Sequence, residues 1–388
     1  MLAKTPPMGW NSWNTFTKDI NEQLIFDTAD KMVSEGLRDA GYEYLVIDDC
    51  WSEKQRDENG QLVADHIKFP HGMKYVADYV HSKGLKFGMY SCCGLMTCAG
   101  FPASFGHEFD DANYFASVGI DLLKYDNCYH PSSESKLSYA RMALALRQTG
   151  RDIIFSLCNW GNAEVWKWAR SVGGHMYRST GDIMDNFESI KKLSNSQKEN
   201  LGFSAPGCFN DIDMLVAGMS GTGNISTFDP VAMTNGAEYK GCTDGEYRYH
   251  FAMWCMFSSP LMIGCDVRNM SPATKALLLN KELIAINQDE DARPPIFISD
   301  NHGLHDNTIC VKFLADGTYA VGMFNVYDRK VTAILPYYEM GLDPLCGYAL
   351  EYTDVFTGEN LGVRRDYGMF EVEPHDCRVF RARLVKVK

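Results

Sequence analysis

The sequence predicts an α/β protein, with a barrel of eight parallel strands joined by helices and then a smaller antiparallel β domain. Its 388 residues exceed what one hydrophobic core usually serves, which favours two domains. Over roughly the first 290 residues, short apolar runs typical of buried strands alternate with segments of helical periodicity. About eight such units favour a closed barrel over an open parallel sheet. Beyond them, strand-like segments follow one another with no intervening helix.

The barrel strands are predicted from their apolar runs. They are expected at residues 8–13, 42–47, 86–91, 120–125, 153–158 and 261–265, with two more near Met176 and Cys208. Helical periodicity predicts helices at residues 22–40, 110–117 and 132–147. Another helix is expected to begin at Ser271 and Pro272, because a capping residue followed by proline is typical of a first helical turn.

The helical pattern stops in a charged, proline-bearing segment at residues 289–295, where we place the domain boundary. Residues 1–292 are assigned to the barrel and residues 293–388 to the β domain. Strands of the β domain are expected at residues 318–326, 330–335, 348–356 and 378–384. The segment 216–246 is rich in Gly, Ser, Thr and Asn, and so long a loop is expected to be functional or mobile.

Composition and charge exclude several classes of protein. A formal net charge of −13 provides no cationic surface for nucleic acid or for an anionic membrane. No stretch approaches the roughly 18 apolar residues of a membrane span, and we see no signal peptide, so a cytoplasmic protein is expected. The 13 cysteines lack the spacing of a zinc site, and we expect mostly free thiols and no metal or cofactor. A neutral ligand such as a sugar fits best.

Acidic residues stand at the ends of two predicted strands. Asp48 and Asp49 follow the second strand, and Lys124 and Asp126 end the fourth, where barrel enzymes hold substrate and catalytic groups. Turn formation is the competing explanation for any one of these aspartates. Lys124 and Asp126 are two residues apart in a strand and so project to the same side. The ammonium is expected to keep the carboxylate ionised, which suits a nucleophile.

Two further charged pairs remain ambiguous on spacing alone. Arg178 and Asp182 are four residues apart, which favours a helical salt bridge over a catalytic pair. Asp211 and Asp213 precede the long loop and are as typical of a turn as of a site.

Aromatic residues accompany these carboxylates. Trp10 and Trp13 are expected on the first strand, and Trp51, Tyr90 and Trp160 on or after the second, third and fifth. A sugar packs its C–H face on an aromatic ring while acids accept from its hydroxyls, and two acids across a glycosidic bond can supply nucleophile and proton donor. The pattern therefore predicts glycoside hydrolysis without naming the sugar.

Two other classes stay open at this point. Clustered aspartates can also hold Mg²⁺, although Lys124 beside Asp126 occupies the space that a cation would need. A non-catalytic sugar-binding protein is the other alternative, and the presence of candidates for both catalytic carboxylates argues against it.

Six motifs resemble the α-galactosidases of glycoside hydrolase family 27. They are AKTPPMGWNSW at 3–13, DDCW at 48–51, TCAGFP at 97–102, KYD at 124–126, NDIDM at 210–214 and AINQD at 285–289. The resemblance implies a (β/α)₈ barrel followed by an antiparallel β-sandwich. It also implies a retaining exo-glycosidase that removes terminal α-linked D-galactose from an oligosaccharide or glycoconjugate by double displacement. No cofactor is implied, and an oligomer is compatible with it.

The resemblance assigns roles to individual residues. Asp126 is expected to be the nucleophile and Asp182 the acid/base, the latter with a raised pKa. Asp48 and Asp49 are expected on the 4- and 6-hydroxyls, and Lys124 on the 3-hydroxyl. The remaining expected contacts with the sugar or its surroundings are Trp13, Tyr90, Cys98, Cys128, Asn159, Trp160, Arg178, Asp213 and Met214, with Arg178 near the 2-hydroxyl.

Departures from the family pattern bear on the alternatives. Asn159 stands where the lysosomal members of the family have Glu. It can still bind a 2-hydroxyl, and it weakens an α-N-acetylgalactosaminidase assignment, because those enzymes have small residues there. Asp49, where a longer Glu would fill the space of C6, argues against a β-L-arabinopyranosidase. Cys98 and Cys128 match a family disulfide, which a reducing cytoplasm would hold as thiols. The Gly-rich insertion after Met214 is expected to roof the leaving-group site.

Overall fold

A computed structural model of the chain describes residues 1–132, 134–223, 240–298 and 308–387. It confirms the predicted order of a parallel barrel followed by an antiparallel β domain. Of the predicted loop at 216–246, residues 224–239 lie outside the described residues. Among the described residues, no helix has both the length and the apolar character needed to cross a membrane.

Eight parallel strands form the barrel, and each coincides with a predicted apolar run. They are β1 (Met8–Asn11), β2 (Tyr44–Val46), β3 (Lys86–Cys92), β4 (Leu122–Asp126), β5 (Ile154–Cys158), β6 (Met176–Arg178), β7 (Phe209–Asp211) and β8 (Leu261–Ile263). From β1 to β7, neighbours in sequence are neighbours in the sheet, and β8 pairs with β1. The chain following β7 closes the barrel, because the backbone N–H of Leu215 donates to Met262 O at 2.7 Å and Gly264 donates to Leu215 O at 2.9 Å.

Helices pack around this sheet. They are α1 (Trp13–Phe16), α2 (Glu22–Ser34), α3 (Gly72–Ser82), α4 (Glu108–Val118), α5 (Lys136–Gln148), α6 (Phe187–Asn195), α7 (Asp244–Met256), α8 (Pro272–Leu278) and α9 (Lys281–Asn287). The α8 helix begins as predicted, since the Ser271 side chain accepts from Thr274 N and proline occupies the first turn. The predicted loop ends earlier than expected, because a capping box between Thr243 and Glu246 starts α7.

Two predicted elements are corrected by local backbone geometry. The first strand ends at Asn11, whose Oδ1 accepts the N–H of Trp13 at 2.8 Å, so Trp13 begins α1 instead of lying on the strand. The predicted helix at 22–40 is interrupted after Ser34 by Gly36, whose φ of 85° lies in the left-handed region, and resumes as a short 3₁₀ turn.

The β domain consists of two antiparallel sheets. The larger has the order β14-β13-β16-β11-β10-β9 and the smaller pairs β12 with β15. The strands are β9 (Ile296–Ile298), β10 (Thr308–Phe313), β11 (Tyr319–Phe324), β12 (Val331–Pro336), β13 (Tyr348–Asp354), β14 (Asn360–Arg364), β15 (Tyr367–Val372) and β16 (Cys377–Lys386). Four coincide with predicted strands, and β9, β10, β14 and β15 were not predicted. Inward-facing Val321, Leu350, Phe370 and Phe380 fill a core between the sheets.

Barrel and β domain share a continuous apolar contact. Phe324 of β11 packs against Tyr249 of α7 with ring centroids 5.1 Å apart. Arg248 forms an ion pair with Asp376. Lys312 of β10 is fully buried and donates to Ser258 Oγ at 2.6 Å and to Ile286 O at 2.7 Å. The β domain therefore packs against the outer helices, and the carboxyl ends of the barrel strands remain available for a site.

Candidate active site

A cavity of about 470 Å³, including its mouth, opens at the carboxyl ends of the barrel strands. It is lined by Trp13, Asn14, Asp48, Asp49, Tyr90, Cys98, Lys124, Asp126, Cys158, Trp160, Arg178, Asp182, Asp213 and Met214. The structure thus gathers the predicted site residues except Cys128 and Asn159. Asn14 and Cys158 were missed, although Cys158 ends β5 and the strand-end rule that selected Asp126 applies to it equally.

Asp48 and Asp49 form one side of the cavity. Asp48 Oδ2 accepts from Lys124 Nζ at 2.8 Å and from Asn11 Nδ2 at 2.7 Å. Asp49 Oδ2 accepts from the backbone N–H of Ala99 at 3.0 Å, and burial raises the pKa of Asp49 above its ordinary value. Both carboxylates are buried and rigidly held, as groups that orient a neutral polar ligand must be.

Asp126 is the last residue of β4 and is buried at the bottom of the same cavity. Its Oδ2 accepts from the Tyr90 hydroxyl at 2.9 Å, and its Oδ1 accepts from Asn127 N at 2.9 Å. Burial raises the pKa of Asp126 to about 6, while the charge of Lys124 opposes this shift. Lys124 bonds directly to Asp48, and its charge lowers the pKa of Asp126 as expected from the spacing, but this effect is smaller than that of burial.

Asp182 lies at the mouth, with 58% of its side chain exposed. Arg178 ends β6 and Asp182 follows in a loop, so the helical pair favoured by their spacing is wrong. The two side chains nevertheless meet, with Arg178 Nη2 2.9 Å from Asp182 Oδ1. Partial burial raises the pKa of Asp182, but the guanidinium outweighs it and holds the pKa below its ordinary value. The free protein therefore does not show the raised pKa expected of a proton donor.

Arg178 also reaches a second carboxylate across the cavity. Its Nη1 lies 3.0 Å from Asp213 Oδ1, and Asp213 is buried. Burial raises the pKa of Asp213 to about 6, against the charge of Arg178. One buried guanidinium thus joins an exposed and a buried carboxylate.

Three non-glycine residues at the rim hold left-handed backbone conformations. The φ angles are 72° at Cys50, 59° at Trp160 and 89° at Asp213. Such conformations cost on the order of 1–3 kcal/mol each and persist where the surrounding structure enforces them, often at functional sites. Here they turn the chain sharply at the ends of β2, β5 and β7, and this brings Trp160 and Asp213 to the cavity.

Cys98 and Cys128 form a disulfide with Cα atoms 5.2 Å apart, as the family resemblance implied. Cys98 lines the cavity, and its Sγ lies 3.6 Å from both Asp126 Oδ2 and the Tyr90 hydroxyl. Cys128, its partner in the disulfide, does not line the cavity. Asn159 also lies behind the lining of the cavity and is fully buried. Its Nδ2 donates to Asn162 O at 3.0 Å, and its Oδ1 has no hydrogen-bond partner among the residues that the structure describes.

Two groups among the described residues have ligand spacing that would suit a metal ion. The first comprises Cys98, Cys128 and Asp126, and its sulfur atoms are joined in the disulfide. The second comprises Glu53, Asp65 and His66 on the surface, where Glu53 already accepts the backbone N–H of His66 at 3.0 Å. Neither group places a cation beside both Asp126 and Asp182.

The cavity lies at the carboxyl ends of a parallel barrel and holds the buried carboxylate of Asp126 and the half-exposed carboxylate of Asp182. This combination is typical of a glycoside hydrolase. The family model described as alpha galactosidase A matches residues 5–289, and the model of the alpha galactosidase C-terminal beta sandwich domain matches residues 305–382. The chain belongs to the α-galactosidase family, glycoside hydrolase family 27.

Individual relatives resemble nearly the whole chain. The α-galactosidase of Cyamopsis tetragonoloba is 39% identical over 98% of this chain and 86% of its own. The structure of α-galactosidase I from Mortierella vinacea superimposes with a TM-score of 0.88 at 34% identity, covering 98% and 97% of the two chains. The Saccharomyces cerevisiae α-galactosidase with raffinose gives a TM-score of 0.87 at 29% identity, covering 99% and 98%.

Proposed function

We propose that the protein is a retaining exo-glycosidase that hydrolyses terminal α-linked D-galactose, with Asp126 as nucleophile and Asp182 as acid/base. The observation that carries the proposal is that the two carboxylates line the same cavity but differ in how far they are exposed to water. Asp126 is buried at its bottom and Asp182 is half-exposed at its mouth. A buried nucleophile below a sugar and an acid near the departing group are the arrangement that this reaction requires.

The shape of the cavity supports removal of a terminal residue. Next to Lys124 and Arg178, a second and smaller cavity inside the barrel is lined largely by apolar side chains that include Val46, Leu122 and Met176. This apolar surface suits neither a charged nor a polar sugar chain, so we expect the sugar to stay in the polar cavity above it. A single terminal sugar can enter, with the rest of the molecule outside beside Asp182.

The reaction proceeds in two displacements. Asp126 attacks the anomeric carbon, the glycosidic C–O bond breaks, and Asp182 gives its proton to the leaving oxygen, which produces a glycosyl ester on Asp126. Asp182, now ionised, takes a proton from water as that water attacks the same carbon, and Asp126 is released. Two inversions give a product of the same anomeric configuration as the substrate.

Protonation must change on substrate binding for this scheme to work. In the free protein the pKa of Asp126 is raised to about 6 and that of Asp182 is lowered, the reverse of what nucleophile and acid need. A bound sugar with its leaving group would cover Asp182, which is 58% exposed, and the loss of water would raise the pKa of Asp182. Substrate binding thereby favours the reactive distribution of protons.

Galactose is favoured by the polar wall and by the relatives. Asp48, paired with Lys124, and Asp49 present acceptors and a donor to one side of a bound sugar. The resemblance expects the 4-, 6- and 3-hydroxyls at these groups, and the relatives cited above are named α-galactosidases. Arabinopyranose would leave Asp49 without a C6 hydroxyl, whereas Asn159 does not line the cavity and so does not by itself exclude an acetamido group.

Hydrolysis of p-nitrophenyl α-D-galactoside by the pure protein tests the proposal. We expect turnover of this substrate to exceed that of the α-N-acetylgalactosaminide and the β-L-arabinopyranoside in parallel assays. Proton NMR during the reaction should show α-galactose as the first-formed anomer. Absence of hydrolysis by folded protein would refute the assignment, and β-galactose as first product would refute the retaining mechanism.

Asp126→Asn tests the nucleophile. Because the amide cannot attack the anomeric carbon, we expect kcat to fall by at least roughly 10⁴-fold while the fold is retained. Galactose binding measured by calorimetry, together with near-ultraviolet circular dichroism, controls for misfolding. Appreciable turnover in a folded variant would contradict the role of Asp126.

A further inference from the structure

The carboxylate of Asp213 joins the two parts of the chain that hold Asp182. We propose that Asp213 is a positioning residue for the acid/base Asp182, which it orients through Arg178 and the Ile183 amide. This inference rests on the proposed function, because it concerns the proton-transfer step of that reaction. Its role is separate from any contact that Asp213 makes with the sugar.

One hydrogen bond and one ion pair of the Asp213 carboxylate carry the proposal. Asp213 Oδ2 accepts from the backbone N–H of Ile183 at 2.7 Å, directly beside Asp182 in the chain. Asp213 Oδ1 forms an ion pair with Arg178 Nη1 at 3.0 Å, and Arg178 Nη2 donates to Asp182 Oδ1 at 2.9 Å. One carboxylate therefore holds both the backbone that follows Asp182 and the guanidinium that fixes the Asp182 side chain.

Asp213 is itself held rigidly. Its backbone N–H donates to Asp211 Oδ1 at 2.9 Å, and its carbonyl accepts from Trp254 Nε1 at 2.8 Å. The backbone turns sharply at Asp213, whose φ of 89° lies in the left-handed region, and the side chain of Asp213 is buried. Asp182, by contrast, lies in a loop and is half-exposed. A proton donor must be placed accurately, and a half-exposed loop residue such as Asp182 therefore needs contacts with a rigidly held group such as Asp213.

The charge of Asp213 matters as well as its geometry. Arg178 and Lys124 lower the pKa of Asp182, and the charge of Asp182 in turn raises the pKa values of the Asp126 and Asp213 carboxyls and of the neutral Cys158 thiol. Without the negative charge of Asp213, less of the positive charge of Arg178 would be neutralised, and its attraction for the ionised form of Asp182 would be stronger. The pKa of Asp182 would fall further, and fewer enzyme molecules would hold the proton needed for the leaving group.

Asparagine cannot replace Asp213 in this arrangement. Both neighbours, the Ile183 N–H and the Arg178 guanidinium, are donors, and both require an acceptor. An amide offers one acceptor oxygen and one NH₂ donor, so in the variant the NH₂ group would face either the Ile183 N–H or the Arg178 guanidinium, which are donors themselves. Asp213→Asn therefore removes one bond and the charge at almost constant volume.

The test compares kcat/KM on substrates that differ in their need for acid catalysis. 2,4-Dinitrophenyl α-galactoside has a leaving group that departs unprotonated, whereas methyl α-galactoside requires a proton. For Asp213→Asn we expect about a 10- to 100-fold greater loss on the methyl than on the dinitrophenyl substrate, in keeping with the worth of general acid catalysis. The alkaline limb of the kcat/KM profile should also move to lower pH.

Asp111→Asn is the matched control. Asp111 is a buried aspartate on α4, bonded to Arg56 at 2.6 and 2.7 Å through both of its oxygens, and it does not line the cavity. This variant loses a buried arginine–aspartate pair of similar geometry and should keep the wild-type ratio between the two substrates. A changed ratio in Asp111→Asn would show that the ratio reports loss of stability, and it would overturn the proposal.

A second variant keeps the proposal testable if Asp213→Asn fails to fold. In Arg178→Lys a single ammonium reaches one carboxylate at a time, so the same preferential loss on the methyl substrate is expected. Equal losses on both substrates, with an unmoved alkaline limb, overturn the positioning role. If the wild type hydrolyses neither galactoside, the proposed function fails and this inference with it. An active wild type with an unchanged ratio in both variants refutes only the role of Asp213.

Discussion

At the scale of single residues, the site depends on how burial and charge compete. Asp126 and Asp182 are both aspartates near a cation, yet the pKa of the first is raised to about 6 and that of the second is lowered. Burial dominates at Asp126, whose nearest polar contacts are Tyr90 and a backbone N–H. The Arg178 guanidinium dominates at the half-exposed Asp182. Identical side chains therefore acquire different proton affinities from their surroundings.

Lys124→Met tests this competition. Because the ammonium lowers the pKa of Asp126, its loss should raise that pKa above about 6. Asp126 would then remain protonated to higher pH, and the acid limb of the kcat/KM profile should move up by roughly one pH unit. The measurement is the pH dependence of p-nitrophenyl α-galactoside hydrolysis.

Lys275→Met is the control for this variant. Lys275 pairs with Glu35 on the outer helices, so its removal subtracts the same charge outside the cavity and should leave the limb in place. An acid limb in Lys124→Met that stays where it is in the wild type, or moves to lower pH, would contradict the coupling between Lys124 and Asp126.

At the scale of elements, the loops that follow β3 and β4 are joined by the Cys98–Cys128 disulfide. The bond spans 30 residues and holds Cys98 Sγ 3.6 Å from Asp126 Oδ2. A crosslink of this span restricts the unfolded chain and contributes about 3–4 kcal/mol to stability in the chain-entropy account. It therefore supports both the stability of this edge of the barrel and the part of the cavity wall beside Asp126.

Cys128→Ser should lower the free energy of unfolding by about 3 kcal/mol. It should also reduce kcat/KM, because the wall at Cys98 is no longer fixed. Urea unfolding followed by tryptophan fluorescence measures the first effect, and the aryl galactoside assay measures the second. Cys346→Ser removes an exposed free cysteine and should change neither quantity. Unfolding of Cys128→Ser at the wild-type urea concentration would exclude a stabilising role for the bond.

At the scale of the whole molecule, Lys312 connects the β domain to the barrel. It is fully buried at the interface, bonded to Ser258 and Ile286 of the barrel. Burial lowers the pKa of Lys312 to about 8, although the charge of Asp289 opposes the shift. Between pH 8 and the pKa of an unfolded lysine near 10.5, the unfolded chain holds a proton that the native protein has released. The contribution of this group to stability therefore rises with pH over that window.

Lys312→Met removes this pH dependence. We expect the free energy of unfolding of the wild type, relative to Lys312→Met, to rise by roughly 1–3 kcal/mol between pH 7.5 and pH 10. Guanidinium titrations at the two pH values measure the difference. Lys330→Met, at a half-exposed position of the β domain, should show no such trend. A constant difference between wild type and Lys312→Met would indicate that Lys312 titrates normally.

The sequence by itself determined the order of the strands and the edge of the barrel that carries the site. Apolar runs and helical periodicity are local properties, so all eight barrel strands were predicted, and carboxylates after β2 and β4 identified the active edge. Assignment of Asp182 required the family motif, because its distance of four residues from Arg178 resembled a helical pair. The β9, β10, β14 and β15 strands escaped prediction, since their apolar patterns are short or mixed with charged and turn residues.

Only the tertiary structure decided how the site residues interact. It paired Lys124 with Asp48 instead of Asp126, shared Arg178 between Asp182 and Asp213, and moved Asn159 behind the wall. It also reversed the expected order of the pKa values of Asp126 and Asp182. These outcomes depend on which distant segments pack within hydrogen-bonding distance and on how much water each carboxylate loses. Neither quantity is a property of local sequence, because both arise when the barrel closes.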